Sequence, residues 1–173
     1  MAKVDPIVPK KASWMVERAR SWGLTLVLMA LLWMTLQSLR GGVEVTGLAP
    51  DFVAIDVGGA RFTLSEYRGK PTVLYFWATW CGACKLTSPT IDRFAQGRPQ
   101  VNVIGLTNEE PAVVQSYLAE TPRSFRIGIA PNALTQAYQV HALPTTVVLD
   151  AEGRIVWSRI GVILPGELNW HVP

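Results

Sequence analysis

Blocks of apolar residues alternate with mixed polar stretches along residues 51–173, and their periods predict strands and helices in turn. Continuous apolar runs at Thr72–Ala78 and Val101–Leu106 are typical of strands that are covered on both faces. Residues 82–94 and Pro111–Glu120 are predicted as helices, the second with proline at the favoured first position.

The other predicted elements are shorter. They are strands Phe52–Val57, Arg61–Leu64, Phe125–Ile129, Thr145–Leu149 and Arg154–Ile160, a helix Asn132–Tyr138 capped by Asn132, and one or two helical turns within Pro165–Trp170. Strands that alternate with helices and end in a hairpin predict a single α/β domain with a mixed sheet.

A second pattern lies nearer the N-terminus, where residues 22–39 carry no charge. At about 1.5 Å per residue this segment covers most of a hydrocarbon core of about 30 Å, which predicts a transmembrane helix. Lys and Arg collect before it, so the N-terminus is predicted to be cytoplasmic. The predicted organisation is a cytoplasmic tail 1–21, an anchor 22–39, a tether 40–50 and a domain 51–173. A cleaved signal peptide is one alternative, although Leu36–Arg40 lacks a small-x-small site. A buried helix of a soluble core is another, and it is the least favoured because the segment is apolar all round.

The net charge of +3 is unevenly distributed. Residues 1–43 hold six Lys and Arg against two acids, a net +4, whereas residues 44–173 hold ten against eleven, a net −1. The basic balance therefore belongs to the predicted anchor, where it indicates lipid contact and not nucleic-acid binding.

The two cysteines of the chain, Cys81 and Cys84, follow the predicted strand Thr72–Ala78, where a helix begins. Unpaired N–H groups at a helix N-terminus stabilise a thiolate, the reactive form of cysteine, and Cys84 is close enough to form a disulfide with Cys81. This arrangement predicts dithiol–disulfide exchange. A structural disulfide is one alternative, but so short a loop would add little stability. Structural zinc is another, but it needs about four ligands, and only the distant His141 and His171 could add to the cysteines.

Two motifs carry a resemblance to a known family. FWATWCGAC (Phe76–Cys84) and LPTTVVLDAEGRIV (Leu143–Val156) resemble the thioredoxin superfamily, and within it the membrane-anchored branch that includes TlpA and ResA. Within that branch the chain is most similar to the suppressor-for-copper-sensitivity D proteins, which share an N-terminal anchor and a Thr-Ser-Pro after the second cysteine, here Thr87-Ser88-Pro89. The resemblance covers roughly residues 47–165 and implies a thioredoxin-like fold after one N-terminal transmembrane helix, with no cofactor.

Position by position, the resemblance implies that Cys81 is the exposed attacking nucleophile and Cys84 the buried resolving thiol. Trp80 would shield one side of the pair, and Pro144 would be a cis-proline facing the disulfide. An ordinary trans turn is the alternative for Pro144. The substrate-binding residues implied by the resemblance are Trp80, Leu143, Pro144 and Thr145.

This chain departs from the family at three positions. Tyr75 stands where many thioredoxins have a buried Asp, and Thr87 stands where some anchored reductases have Glu. Water or an unidentified acid would then accept the Cys84 proton. Thr145 replaces a Glu that is usual in cytochrome c reductases, which argues against haem-protein maturation.

The charged residues near these motifs are predicted to have no direct part in the exchange reaction. Lys85 and His141 are interpreted as solvated side chains. The alternatives are that Lys85 favours the Cys81 thiolate and that His141 binds copper or tunes the thiolate. Glu109 and Glu110 precede the helix that begins at Pro111, where carboxylates offset the helix dipole, and no functional role is predicted for them.

The sequence therefore predicts a thiol–disulfide oxidoreductase in a bacterial inner membrane, with a periplasmic catalytic domain that acts on protein disulfides. The residues leave the direction of exchange open. The family leans toward reduction, with electrons from a membrane thiol donor, and the resemblance suggests a role in copper or redox stress tolerance. The alternative is a Cu(I) chaperone or sensor that uses the same two cysteines.

Overall fold

The computed structural model describes residues 13–38 and 47–173, which belong to two units divided after Arg40. The first unit contains helix α1, Ser13–Ser38, which includes all but the last residue of the predicted anchor. Its described large apolar side chains, Trp22 to Met34, are more than half exposed. Within the described residues, no helix is both long and apolar enough to cross a membrane, and the predicted anchor is not confirmed.

The second unit is built on a mixed sheet. Its described strands are β1 (Gly47–Leu48), β2 (Val53–Asp56), β3 (Arg61–Thr63), β4 (Thr72–Phe76), β5 (Asn102–Thr107), β6 (Arg126–Ile129), β7 (Thr145–Leu149) and β8 (Arg154–Ile160). The order across the sheet is β1-β8-β7-β4-β5-β6-β2-β3. Strands β4, β5 and β6 are parallel, and β7 runs antiparallel to β4 and β8. The predicted α/β architecture with a mixed sheet is confirmed.

Three α-helices and two 3₁₀ turns complete the part of the second unit that the structure describes, residues 47–173. They are α2 (Gly82–Gly97), α3 (Pro111–Glu120), α4 (Asn132–Ala137), Leu64–Tyr67 and Glu167–Trp170. The short final turn agrees with the expectation for Pro165–Trp170. The cap predicted at Asn132 is wrong, because Pro131 occupies the N-cap position and Asn132 is the first helical residue.

Apolar side chains fill both faces of the sheet, and all five residues of β4 are buried. Successive strand residues point to opposite faces. Tyr75 therefore joins the core under α2 and α3, and Leu74 joins the core with α4 on the other face. Central strands covered on both faces are what the continuous apolar runs predicted.

The start of the second unit differs from the prediction. Gly47 and Leu48, placed in the tether, pair with Ile155 and Arg154 of β8. The Ala49 N–H also donates to the Gly153 carbonyl at 2.9 Å. These residues therefore belong to the sheet, and residues 39–46 of the predicted anchor and tether lie outside the described residues.

Candidate active site

Strand β4 and helix α2 place the two cysteines where the sequence predicted them. Cys81 is the N-cap residue of α2, and Cys84 lies in its first turn. The two residues form a disulfide, with their Cα atoms 5.2 Å apart. The Cys84 backbone N–H donates to Cys81 Sγ at 3.1 Å. The helix N-terminus thus directs a donor at this sulfur, which is the interaction that stabilises a thiolate once the disulfide opens.

The exposure of Cys81 corrects one expectation. In the disulfide form Cys81 is only 6% exposed, so it is not the exposed residue that the resemblance implied. Cys84 is more deeply buried, at 1%, and Cys81 remains the more accessible of the two. Trp80, directly before Cys81, is 72% exposed and forms a large apolar surface beside the disulfide.

A second loop reaches the same edge of the sheet. Strand β7 pairs with β4, with Thr145 opposite Phe76, so the loop before β7 lies beside the loop that leads to Cys81. The Leu143–Pro144 peptide bond is cis, as predicted. The Thr145 hydroxyl is turned inward and donates to the Ala142 carbonyl at 2.7 Å. Any substrate contact at Thr145 would therefore use its backbone.

The two loops share a cavity of about 200 Å³. Trp80 from the first loop and Leu143 from the second both line it, together with Leu134 and Val140. Two of the predicted substrate-binding residues are thus brought together beside an apolar cavity, and their roles in binding stay predictions.

Two neutral hydroxyl groups, those of Tyr75 and Ser88, contact the backbone carbonyl of Cys84. The Tyr75 hydroxyl lies 3.1 Å from both the Cys84 carbonyl oxygen and Ser88 Oγ. Ser88 Oγ donates to the same carbonyl at 2.8 Å. Burial raises the pKa of Tyr75 to about 12, so it remains a neutral phenol at physiological pH. Within this pair, Tyr75 is the residue that stands where many thioredoxins have a buried Asp.

Glu109 is a residue of the site that the sequence analysis missed. Its carboxylate accepts hydrogen bonds from the Thr79 N–H and the Thr79 hydroxyl, both at 2.7 Å. It thereby braces the loop two residues before Cys81. Glu110, by contrast, is the exposed N-cap residue of α3, without a side-chain cap bond. The sequence held a signal for this contact, because the ends of adjacent parallel strands lie at one sheet edge and Glu109 is the second residue after β5.

The side chains of the remaining candidates are exposed or contact groups other than the two sulfur atoms. Lys85 and His141 are exposed. The Thr87 hydroxyl donates to the Ala83 carbonyl within α2. His171 stacks on Trp157, with their ring centroids 4.3 Å apart. Among the described residues, no group of three or more His, Cys, Asp or Glu side chains could hold a metal ion.

A mixed sheet that delivers a cysteine pair to a helix N-terminus, beside a cis-proline loop, defines a thioredoxin-like thiol–disulfide oxidoreductase. Comparison with known proteins agrees. The Redoxin family model matches residues 44–168, and the chain belongs to this family.

Individual relatives point the same way. The chain is 29% identical over 171 residues to the thiol-disulfide oxidoreductase ResA of Geobacillus kaustophilus, covering 94% of this chain and 97% of that protein. The exposed lipoprotein thioredoxin of Streptococcus pneumoniae is 25% identical, with a TM-score of 0.65 over 70% of this chain and 96% of that one. A thioredoxin-family thiol:disulfide interchange protein of Chlorobium tepidum, 22% identical, shares the fold, with a TM-score of 0.66 over 73% and 94%. The resemblance to the TlpA and ResA branch is confirmed.

Proposed function

We propose that this protein reduces disulfide bonds in client proteins outside the cytoplasm. The observation that carries the proposal is the Cys81–Cys84 disulfide at the start of α2, with Cys81 Sγ facing a helix N–H group. Stabilisation of the Cys81 thiolate makes it the attacking group, and the deeper Cys84 is placed to resolve the adduct. The cavity beside Trp80 and Leu143 supplies an apolar surface for a client segment.

The exchange proceeds in two balanced steps. The Cys81 thiolate attacks one sulfur of the client disulfide, which breaks that bond, releases one client thiolate and leaves a mixed disulfide. Cys84, as a thiolate, then attacks Cys81 Sγ, which releases the second client thiolate and forms the Cys81–Cys84 disulfide. Two electrons pass from the protein to the client, so a thiol donor must reduce the protein before the next cycle.

Location outside the cytoplasm is a separate part of the proposal. It is supported by the uncharged segment 22–39 and by the excess of Lys and Arg before it, which favour a membrane anchor with a cytoplasmic N-terminus. A reporter enzyme fused after Pro173 should be active only on the exported side, and the full chain should remain with the membrane fraction in carbonate. Cytoplasmic reporter activity, or a chain released by carbonate, would contradict this part.

The activity is tested with the full-length protein, reduced and then mixed with a disulfide-bonded protein such as insulin. We expect wild-type protein to become oxidised as client thiols appear. Cys81→Ser should abolish exchange, whereas Cys84→Ser should accumulate a mixed disulfide that is visible on a non-reducing gel. The double variant, which lacks both thiols, is the matched control and should form no adduct.

Two results would contradict the proposal, the first its assignment of roles to the two cysteines and the second the activity itself. If Cys81→Ser traps client and Cys84→Ser does not, the roles of the two cysteines are reversed. If neither single variant forms an adduct and wild-type protein leaves the client oxidised, the protein does not act on protein disulfides. Tight 1:1 binding of Cu(I) by the reduced protein, lost in both single variants, would then favour the metal-binding function.

A further inference from the structure

Thr146, the second residue of β7, carries a buried hydroxyl group without a hydrogen-bond partner among the described residues. Its side chain is 0% exposed. A buried hydroxyl that lacks a partner destabilises the state in which it is found. Unpaired groups of this kind are rare in native proteins, and a redox or catalytic role is one of the recognised reasons for them.

The sheet register places this hydroxyl on the side of the sheet that carries the disulfide. Thr146 lies directly opposite Tyr75 of the neighbouring antiparallel strand β4. Residues directly opposite in an antiparallel pair project to the same face, with Cβ atoms about 4.5–5.5 Å apart. Since the Tyr75 hydroxyl reaches the Cys84 carbonyl, Thr146 is on the face that the first turn of α2 covers.

The other two hydroxyl groups near Cys84 already have hydrogen-bond partners. Those of Tyr75 and Ser88 contact each other and the Cys84 carbonyl oxygen. In the disulfide form, Cys84 Sγ is bonded to Cys81 and carries neither a proton nor a charge. A reduced Cys84 becomes a better acceptor, above all as a thiolate.

We propose that the Thr146 hydroxyl donates a hydrogen bond to Cys84 Sγ when the disulfide opens. The reduced form then gains a bond that the oxidised form lacks, so Thr146 shifts the equilibrium toward the dithiol. The step itself is ordinary exchange: two glutathione molecules supply two electrons and two protons, the Cys81–Cys84 bond breaks, and glutathione disulfide forms. The inference rests on the proposed exchange at Cys81 and Cys84 and adds a residue that tunes it.

The test is the equilibrium between full-length protein and a glutathione buffer at neutral pH, read by alkylation of free thiols and mass spectrometry. Thr146→Val keeps the shape and removes the hydroxyl. We expect the equilibrium constant for reduction to fall roughly three- to tenfold, the range that one net hydrogen bond supplies. Thr146→Ser restores a hydroxyl and should recover most of the loss.

Thermal unfolding of the two redox forms separates this role from a structural one. In the oxidised form Thr146→Val should unfold at the wild-type temperature or above, since it removes an unpaired polar group, whereas the reduced form should lose stability. Thr72→Val is the matched control on the opposite face of the sheet, where the hydroxyl is already bonded to the Lys70 carbonyl. It should affect both redox forms alike and leave the glutathione equilibrium unchanged.

Equal equilibrium constants for wild type and Thr146→Val would overturn the inference, as would a loss in Thr146→Val that Thr146→Ser does not recover. Failure of the proposed function looks different. A wild-type disulfide that glutathione does not reduce would refute exchange at this site, and the role of Thr146 with it.

Discussion

The contact between Glu109 and Thr79 gives the sharpest test of how the loop before Cys81 is held. Glu109→Ala removes both 2.7 Å hydrogen bonds that the carboxylate accepts from Thr79, and a longer one, at 3.2 Å, from the Thr107 hydroxyl. Hydrogen bonds to a charged group contribute about 1.5–3 kcal/mol each when buried. Both residues are half-buried, so water replaces part of the loss. We therefore expect the free energy of unfolding to fall by about 2–3 kcal/mol.

Urea denaturation of the oxidised full-length protein measures this change. Glu110→Ala is the matched control, because it removes the adjacent carboxylate, which is exposed and makes no cap bond. Its effect should stay within about 0.5 kcal/mol. Thr79→Val removes only the hydroxyl bond and should have a smaller effect than Glu109→Ala, with non-additive losses in the double variant.

The same variants report on function through the rate at which iodoacetamide alkylates Cys81 in the reduced protein. If Glu109 fixes the loop that presents this thiol, Glu109→Ala should change the rate, whereas Glu110→Ala should leave it at the wild-type value. Equal losses of stability in the two variants, or strictly additive effects of Glu109→Ala and Thr79→Val, would refute the reasoning.

Three further predictions concern the core and the response to acid. Tyr75→Phe deletes the hydroxyl behind the disulfide and should lower the free energy of unfolding by about 1–2 kcal/mol in urea denaturation; an unchanged midpoint would show that the hydroxyl is dispensable. Gly105→Ala should lower the free energy of unfolding by about 1–3 kcal/mol, since a Cβ there would lie 2.6 Å from the Ile127 Cδ1 methyl. Gly97→Ala is its control, because a Cβ at Gly97 meets open space and should not destabilise the protein. The hydrogen bond from Arg126 lowers the pKa of Asp56, so this carboxylate stabilises the fold above about pH 4 and the contribution is lost as pH falls further. Asp56→Asn should therefore lessen the loss of stability in acid, and an unaltered pH profile would contradict the argument.

The sequence predicted the order of the elements and the position of the cysteine pair because both depend on neighbouring residues. The continuous apolar run at Thr72–Ala78 predicted a buried central strand, and all five residues of β4 are buried. A cysteine that follows such a strand within a short loop, at the start of a predicted helix, is expected at the helix N-terminus from local sequence, and Cys81 is the N-cap residue of α2. The cis bond at Pro144 was predicted from a family resemblance, which is carried by the short motifs Phe76–Cys84 and Leu143–Val156.

Only the tertiary structure decided which distant groups meet around that pair. Glu109 reaches Thr79 across 30 positions of the chain because β4 and β5 run in parallel and end at the same edge. Thr146 lies opposite Tyr75 because β7 pairs with β4 in one register. Hydrophobic periodicity predicts that a strand forms and which face is buried, but the partner strand and the register depend on how the whole core packs. The amino-acid sequence thus determined the reactive pair, and the packing of the sheet determined the polar groups that surround it.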